Sequence, residues 1–368
     1  MINGKRLLEN FLNYVKIDSE SGKEGTMTDL LVRQLGKLGC KVKTDDAGKK
    51  TGSDGSNVYA SFKGSLPGEP LILSAHMDTV VPGRGIEPEV RDGIVSSKGD
   101  TILGGDDKSG IAAIVEALTV IREKRLPCRN AEVVISIGEE QGMLGAKVFD
   151  FGSLKGREAV VLDGAGPVGT IIPNGPGQMT LTAAVLGKAA HAGLAPEKGI
   201  SSIQVAARAV AAMKLLRIDD ETTCNIGTFK SEGPTNIVPS RTDIEAEIRS
   251  RSAEKLQAQA DHMVNCLKKA CDDAGAELQY SLKTKYVAFS CPTDHPLMKK
   301  LTDALSAIGR QPHVIDGGGG SDANIMAPAG IVPVVVSTGM CDVHTTRETL
   351  AVKDLEDSAR LVLQLLIR

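Results

Sequence analysis

Residues 71–80 read Leu-Ile-Leu-Ser-Ala-His-Met-Asp-Thr-Val, an apolar run that ends in a histidine and, two positions later, an aspartate. Such a run predicts a buried strand. Sheets of the α/β class place their ligand sites at the carboxyl ends of strands and in the loops that follow. His76 is therefore a candidate metal ligand, with Asp78 as the group that orients its ring. A hydrogen-bonded structural histidine explains the pair equally well at this point.

The chain on either side of this strand alternates helix-like and strand-like segments. Two helices with apolar residues at helical spacing open the chain. Apolar runs at 58–62 and 71–75, separated by the turn residues Pro67 and Gly68, predict two strands that pair with each other. The next predicted elements are a helix at 111–121, a strand at 133–137, a short helix at 143–148 and a strand at 159–162. This order predicts an α/β domain with a mixed, largely buried sheet flanked by helices.

A second unit is predicted after the cluster Asn-Gly-Pro-Gly at 174–177, because so many breakers together indicate an inter-domain hinge. Its predicted order is strand, helix, strand, strand, helix, strand, which is the ferredoxin-like βαββαβ arrangement. The segments are 179–186, 202–216, 224–230, 244–248, 253–273 and 278–287. The first domain then resumes with a helix at 297–308, a helix at 321–326, a strand at 332–336 and a terminal helix at 355–366. The sequence thus predicts one domain of residues 1–176 and 288–368, interrupted by an inserted α+β domain of residues 177–287.

Composition excludes several classes of protein. The 368 residues are 41% hydrophobic and 24% charged, which is ordinary for a globular chain and argues against disorder. A net charge of -3 provides no basic surface for nucleic acid. No apolar run approaches the roughly 18 residues of a membrane span, and Glu9 interrupts the stretch that a signal peptide would need. The seven cysteines are scattered without a Cys-x-x-Cys pair, so we expect a cytoplasmic protein without disulfides or a cysteine zinc site.

More acids and a second histidine follow other predicted strands or precede a helix. Asp106 stands before the long helix, Glu139 and Glu140 close the strand at 133–137, Asp163 ends the strand at 159–162, and His344 follows the strand at 332–336. Each has an ordinary explanation as a helix cap, a solvated turn or a surface residue. Together with the first histidine, they form the nitrogen and oxygen donor set of two divalent ions that share a carboxylate.

Five segments in this order carry a family resemblance. They are SAHMDTVVPG (74–83), GGDDKSGIAAI (104–114), GEEQGMLGA (138–146), LDG (162–164) and DVHTTRE (342–348). The combination resembles the co-catalytic dizinc metallopeptidases that include peptidase T, aminoacylases, acetylornithine deacetylase and glutamate carboxypeptidases, and is most similar to the peptidase T-like members. The resemblance covers essentially the whole chain. It implies a zinc-exopeptidase-like catalytic domain and an inserted domain that serves as lid and dimerisation domain.

The resemblance also implies a role for each matching residue. One zinc ion is assigned to His76 and Asp163 and the other to Glu140 and His344, with Asp106 bridging the two ions of each subunit. Asp78 would orient His76, and Glu139 would take a proton from the bridging water and deliver it to the leaving amine. A cis peptide bond is expected between Asp106 and Asp107. Cobalt or manganese can replace zinc at such ligand sets.

Substrate contacts are expected from two further segments. His191, in Ala-Ala-His-Ala-Gly, resembles the lid histidine that polarises the substrate carbonyl in a neighbouring subunit, which implies a homodimer. Asn236 and Arg241, in Thr-Asn-Ile-Val-Pro-Ser-Arg, would contact the substrate, and a two-pronged arginine suits a peptide carboxylate. Gly319 and Gly320 border the substrate in the family, although tight-turn geometry explains these glycines nearly as well.

These expectations combine into a cytoplasmic zinc exopeptidase that removes the N-terminal residue of short peptides, as a tripeptide aminopeptidase does. A deacylase, a dipeptidase or a carboxypeptidase is the alternative, because the metal ligands are common to all of them. A non-catalytic binding protein would be expected to have lost Glu139 or a ligand, and none is missing. The loop at 317–320 lacks the Lys-Ser/Thr ending of a phosphate-binding loop, which excludes a P-loop enzyme.

Overall fold

A computed structural model describes residues 1–367 and divides the chain into two compact units. Unit 1 consists of Met1–Asn174 and Phe289–Arg368, and unit 2 consists of Gly175–Ala288. The second unit is thus inserted into the sequence of the first. Within residues 1–367, no helix is both long enough and apolar enough to cross a membrane.

Helices and strands alternate along the chain. Over residues 1–367 the helices are α1 (Gly4–Val15), α2 (Gly25–Lys37), α3 (Ala47–Thr51), α4 (Gly105–Lys124), α5 (Leu144–Val148), α6 (Ser202–Ala212), α7 (Ala253–Ala274), α8 (Pro296–Ala307), α9 (Ala323–Met326) and α10 (Val352–Ile367). The strands of the same residues are β1 (Lys41–Thr44), β2 (Val58–Phe62), β3 (Leu71–His76), β4 (Glu87–Arg91), β5 (Ile94–Lys98), β6 (Ala131–Ser136), β7 (Glu158–Ala165), β8 (Thr170–Gly175), β9 (Gly177–Leu186), β10 (Leu216–Arg217), β11 (Thr222–Lys230), β12 (Arg241–Ser250), β13 (Glu277–Tyr286), β14 (Phe289–Ser290), β15 (His313–Asp316), β16 (Val332–Cys341) and β17 (Thr349–Ala351).

The sheet of unit 1 is mixed, as predicted. Its main path runs β1-β2-β6-β3-β7-β16-β17-β5-β4, with β8 pairing β14, β15 and β16 beside it. The four central strands β6, β3, β7 and β16 are parallel, so their carboxyl ends lie at the same edge of the sheet. That edge carries the predicted site.

One predicted pairing is wrong. The strands at 58–62 and 71–75 do not pair with each other, because β6 lies between them, antiparallel to β2 and parallel to β3. Every residue of β6 is buried. A strand that is covered on both faces gains most from hydrogen-bonded neighbours on both edges, since its backbone groups have no access to water.

Helix α4 forms the centre of the core of unit 1. It packs against β3, α1 and α10, and almost all of its residues from Asp107 to Ile121 are buried. The sequence shows only one apolar stripe on this helix, but alanines and Gly110 on the other faces are covered as well. A helix that is small and apolar all round is typical of the interior of a large domain. This burial fixes the position of the helix start, where Asp106 lies.

Unit 2 is a five-stranded antiparallel sheet in the order β10-β11-β12-β9-β13. Helices α6 and α7 pack on each other and on this sheet, over a separate core that includes Leu181, Ile248 and Leu267. The helix predicted through residue 216 is too long. It ends at Ala212, because Met213 adopts an extended conformation, and Leu216 and Arg217 form β10, which pairs with Thr223 and Cys224.

Candidate metal centre and active site

The histidines and acids predicted as ligands come together in unit 1. The ring Nε2 of His76 lies 3.1 Å from Oδ1 of Asp106 and 3.5 Å from Oδ1 of Asp163. The ring Nε2 of His344 lies 3.2 Å from Oδ2 of Asp106 and 2.9 Å from Oε1 of Glu140. The two oxygens of Asp106 therefore face different histidines, as a carboxylate shared between two neighbouring sites would.

This cluster has the composition of a metal site. His76, Asp106 and Glu140 each offer a ligand atom, and these atoms lie within 4.8 Å of one another. His76 is buried, whereas the side chain of His344 is 50% exposed. The cluster is thus closed on the side of His76 and open on the side of His344, where a substrate can approach.

Asp78 connects the first histidine to the two glutamates. Its main-chain oxygen lies 3.0 Å from Nδ1 of His76 and its Oδ1 lies 3.3 Å from the same atom. Its carboxylate also accepts hydrogen bonds from the backbone N–H groups of Glu139 at 2.9 Å and Glu140 at 3.2 Å. One buried acid therefore orients the ring of His76 and fixes the turn that carries both glutamates, which is more than the sequence indicated.

A hydroxyl that the sequence did not indicate completes this arrangement. Ser21 donates a hydrogen bond of 2.7 Å from its Oγ to Oδ2 of Asp78. The side chain of Asp78 is fully buried. Burial acts to raise its pKa, but the contact with His76 and the hydrogen bonds hold that pKa below its usual value. Asp78 is thereby kept as a carboxylate, the form that accepts these bonds.

The peptide bond between Asp106 and Asp107 is cis, which confirms that prediction. Asp107 is buried and accepts a hydrogen bond of 3.1 Å from the backbone N–H of Gly110. A Cβ atom at Gly110 would lie 2.5 Å from Oδ1 of Asp107 and 2.8 Å from the carbonyl oxygen of Leu162. Only glycine fits this close approach between the start of α4 and β7, so Gly110 allows Asp106 to lie beside Asp163.

The acids of the site are crowded, and their pKa values reflect it. Burial, reinforced by the negative charge of Asp106, raises the pKa of Asp163 to about 7. Burial and the charge of Asp163 also raise the pKa of Glu139 well above its usual value. Hydrogen bonds to Asp106 and Glu140 raise the pKa of His344 to about 10. Positive charge is therefore strongly stabilised at this position, which is the electrostatic environment that a divalent cation requires.

Two further buried charged groups near the site were not found from the sequence. Asp322 accepts a hydrogen bond of 2.5 Å from Ser136, the last residue of β6, and burial raises its pKa to about 6. Lys108 is buried, donates a hydrogen bond of 2.8 Å to the carbonyl oxygen of Ile17, and has its pKa lowered by burial to about 7. From the sequence alone, Asp322 cannot be distinguished from a helix cap, nor Lys108 from a surface lysine. Burial is the only signal that separates them, and it is set by the fold.

The loop containing Gly319 and Gly320 connects β15 to α9 in unit 1. Gly319 is exposed, and a Cβ atom there would have nothing within 4 Å. The loop leads directly into Ser321 and Asp322. Its backbone is therefore accessible next to a buried acid, and contact of these glycines with a substrate stays a prediction.

In unit 2, His191 and Asn236 lie on adjacent segments. The backbone N–H groups of Gly193 and Leu194 each donate to Nδ1 of His191 at 3.2 Å, so the contact of His191 with a substrate through Nε2 stays a prediction. The carbonyl oxygen of Asn236 accepts a hydrogen bond of 2.9 Å from Ala192.

Arg241 is already engaged in this unit. Its Nη2 lies 2.6 Å from Oδ1 of Asp243, and both side chains are largely exposed. Exposed pairs of this kind contribute little stability. The binding of a substrate carboxylate by Arg241 would therefore replace a weak pair, and it stays a prediction.

Known proteins resemble the chain over its whole length. The protein YqjE of Bacillus subtilis strain 168 is 40% identical over 366 residues, which cover 100% of this chain and 99% of that protein. The structure of aminopeptidase PepT from Bacillus cereus ATCC 10987 is 38% identical, with a TM-score of 0.96 over 100% of this chain and 98% of that one. The structure of a tripeptidase from Staphylococcus aureus subsp. aureus Mu50 is 36% identical, with a TM-score of 0.97 over the same shares of the two chains.

The family is established by a match over most of the sequence. Residues 72–368 match the model of peptidase family M20/M25/M40. This range contains the histidines, the acids and the inserted unit described above. The chain therefore belongs to peptidase family M20/M25/M40 and is a hydrolase of the metallopeptidase class.

Proposed function

We propose that the protein is an exopeptidase that uses two zinc ions to remove the N-terminal residue of short peptides, above all tripeptides. The observation that carries this proposal is the likeness, over the entire chain, to an aminopeptidase PepT and a tripeptidase. Both matches extend over the whole of this chain, the inserted unit included. We expect the protein to act in the cytoplasm on peptides released by other proteases.

The donor atoms fit two divalent ions. His76, Asp163 and Oδ1 of Asp106 would hold one ion, and His344, Glu140 and Oδ2 of Asp106 the other. Imidazole nitrogens and carboxylate oxygens are the usual donors for zinc, and they also accept cobalt or manganese. When bound, the ions would lower the pKa of a water molecule and polarise the scissile carbonyl.

Glu139 is the residue that moves the proton. Its side chain belongs to the same turn as Glu140, which Asp78 fixes through two backbone hydrogen bonds. A carboxylate held beside the proposed ions is a group that can serve as general base toward the attacking water. Glu139 takes a proton from the attacking water as the new carbon–oxygen bond forms. It returns that proton to the nitrogen as the carbon–nitrogen bond breaks, so that a free amine leaves.

The proposal predicts a pattern of substrates. Unblocked tripeptides should lose their N-terminal residue, whereas dipeptides and N-acylated amino acids should react much more slowly. Free amine release from each class is measured with zinc-reconstituted protein and with chelator-treated protein. Cleavage confined to N-acyl compounds or to dipeptides would show that the protein is a deacylase or a dipeptidase instead. Activity that survives removal of the metal would contradict the metal mechanism.

His191 is proposed to act on the active site of a second subunit in a homodimer. Its exposed ring has Nδ1 engaged by two backbone N–H groups, which leaves Nε2 as the ring nitrogen for a substrate contact. A hydrogen-bond donor on the scissile carbonyl oxygen stabilises the charge that develops there. Asn236 lies next to it in unit 2 and is proposed to contact the same substrate.

Replacing His191 with alanine should lower kcat by about 10²–10³-fold, the usual cost of losing one such donor. If the residue acts in the partner, co-expression of His191→Ala and Glu139→Gln subunits will restore about a quarter of the wild-type activity, because half of the dimers are mixed and contain one complete site. Activity of the separated variants and of the mixture, together with sedimentation of the wild type, provides the measurement. A mixture as inactive as its components would place His191 in its own subunit or outside catalysis.

A further inference from the structure

A buried carboxylate holds the segment that carries Asp106. Glu348 is 2% exposed. Its Oε2 accepts hydrogen bonds from the backbone N–H groups of Leu103 at 2.9 Å and Gly104 at 2.8 Å, and its Oε1 accepts one from Asp106 at 3.0 Å. Three backbone donors thus converge on one side chain. Burial raises the pKa of Glu348, and these donors oppose that change.

The same side chain belongs to the segment of the second histidine. Glu348 follows His344 by four residues, and its backbone N–H bonds to the carbonyl oxygen of Thr345, which closes this segment into a turn. At the other end of the contact, a Cβ atom on Gly105 would lie 3.0 Å from Oε1 of Glu348, so the two segments are tightly apposed. Asp106 and His344 come from distant parts of the chain, and Glu348 connects their backbones.

We propose that Glu348 is a positioning residue that sets the affinity of the ion site formed by His344, Glu140 and Oδ2 of Asp106. This inference rests on the proposed metal function of these residues. The hydrogen bonds of the Glu348 carboxylate are with backbone N–H groups and not with the proposed ligand atoms. It acts by fixing the backbone of Asp106 relative to the turn of His344, so that Oδ2 of Asp106 lies 3.2 Å from Nε2 of His344.

A carboxylate is required at this position because both of its oxygens accept. Glutamine has the same shape but keeps only one acceptor, and its NH₂ group is a donor. In one orientation that NH₂ group faces the N–H of Asp106. In the other it faces the N–H groups of Leu103 and Gly104. In either orientation at least one backbone N–H group loses its acceptor and instead faces the NH₂ group, which is also a donor. That part of the segment 103–106 is then no longer held in place.

The test compares two buried glutamates of unit 1. Glu116 is fully buried on α4, the same helix that follows Asp106, and accepts hydrogen bonds from the backbone N–H of Asn3 at 2.9 Å and from Nε of Arg6 at 2.7 Å. Glu116→Gln therefore disturbs a buried, hydrogen-bonded carboxylate that is remote from the ligands. Zinc stoichiometry is measured after equilibrium dialysis over a range of free zinc, and the visible spectrum of cobalt-loaded protein reports ligand geometry.

We expect wild type and Glu116→Gln to bind about two ions with equal affinity. In Glu348→Gln the apparent Kd of one ion should rise about 10–100-fold, the usual cost of losing a group that orients a ligand, and the cobalt spectrum should change. The proposal is overturned if Glu348→Gln binds both ions with wild-type affinity. It is also overturned if Glu116→Gln loses as much affinity for one ion as Glu348→Gln does. A wild type that binds no ion would instead overturn the metal function itself.

A variant that does not fold is distinguished by thermal unfolding measured on the metal-free proteins. If Glu348→Gln does not fold, Glu348→Asp replaces it, because aspartate keeps both acceptors but is one methylene shorter. Its second ion should then bind more weakly than in wild type. Wild-type affinity in Glu348→Asp contradicts the proposal.

Discussion

Replacing Glu139 with glutamine is expected to lower kcat by about 10²–10⁴-fold while both metal ions remain bound. Glutamine preserves the shape of the side chain but cannot take up a proton. The ligand atoms belong to other residues, and Glu140 keeps its backbone hydrogen bond to Asp78. The variant Glu139→Gln should therefore lack the group that carries the proton but keep both metal ions.

This outcome is measured as steady-state kinetics on a tripeptide alongside zinc content by elemental analysis. Glu132→Gln is the matched control, because Glu132 is a buried acid at the opposite end of β6, where it bonds to Tyr59 and to the backbone of Gly156. The control should keep wild-type kcat. Wild-type turnover in Glu139→Gln would show that another group moves the proton, and a loss of zinc would show that Glu139 is a ligand.

Replacing Asp106 with asparagine is expected to abolish turnover and to reduce zinc content to less than one ion per subunit. Both oxygens of this carboxylate are used, because Oδ1 faces His76 and Oδ2 faces His344. Asparagine retains one oxygen and places a donor where the other was. It also removes a negative charge from between the two sites, so each ion loses a ligand or the electrostatic stabilisation of its neighbour.

Zinc content of Asp106→Asn is compared with that of Asp357→Asn. Asp357 is a fully buried acid on α10 that pairs with Arg310 at 2.7 Å and Arg360 at 3.0 Å. We expect that control to lose stability, since it weakens the ion pairs of a buried carboxylate, but to keep both ions. Retention of two tightly bound ions by Asp106→Asn would exclude a bridging role for Asp106.

The candidate ligands could be picked out from sequence because each stands next to a recognisable element, and the structure brings them together. His76 ends an apolar run, and Asp106 begins a long helix. Parallel strands then bring their carboxyl ends together without any further information. The supporting contacts could not be predicted in this way. Ser21 and Glu348 lie in segments without regular periodicity, and their partners are far away in sequence.

The errors in the predicted fold have the same origin. The turn residues Pro67 and Gly68 correctly indicate a change of direction, but they do not determine which strand lies next to β3. That neighbour is β6, from more than fifty residues later, and long-range pairing is selected by burial of the whole sheet. Likewise, Leu216 continues an apolar helical pattern, but its backbone has a positive φ of 65° and it joins a sheet edge.

The insertion of unit 2 into the sequence of unit 1 determines when a newly made chain can complete its sheet. Strand β16 pairs with β7 along most of its length, yet it leaves the ribosome only after all of unit 2 has been synthesised. Unit 2 has its own core and can fold first, whereas β7 must wait with an unpaired apolar edge. His344 and Glu348 emerge later still. A nascent chain therefore cannot assemble the complete cluster of histidines and acids before His344 has been made.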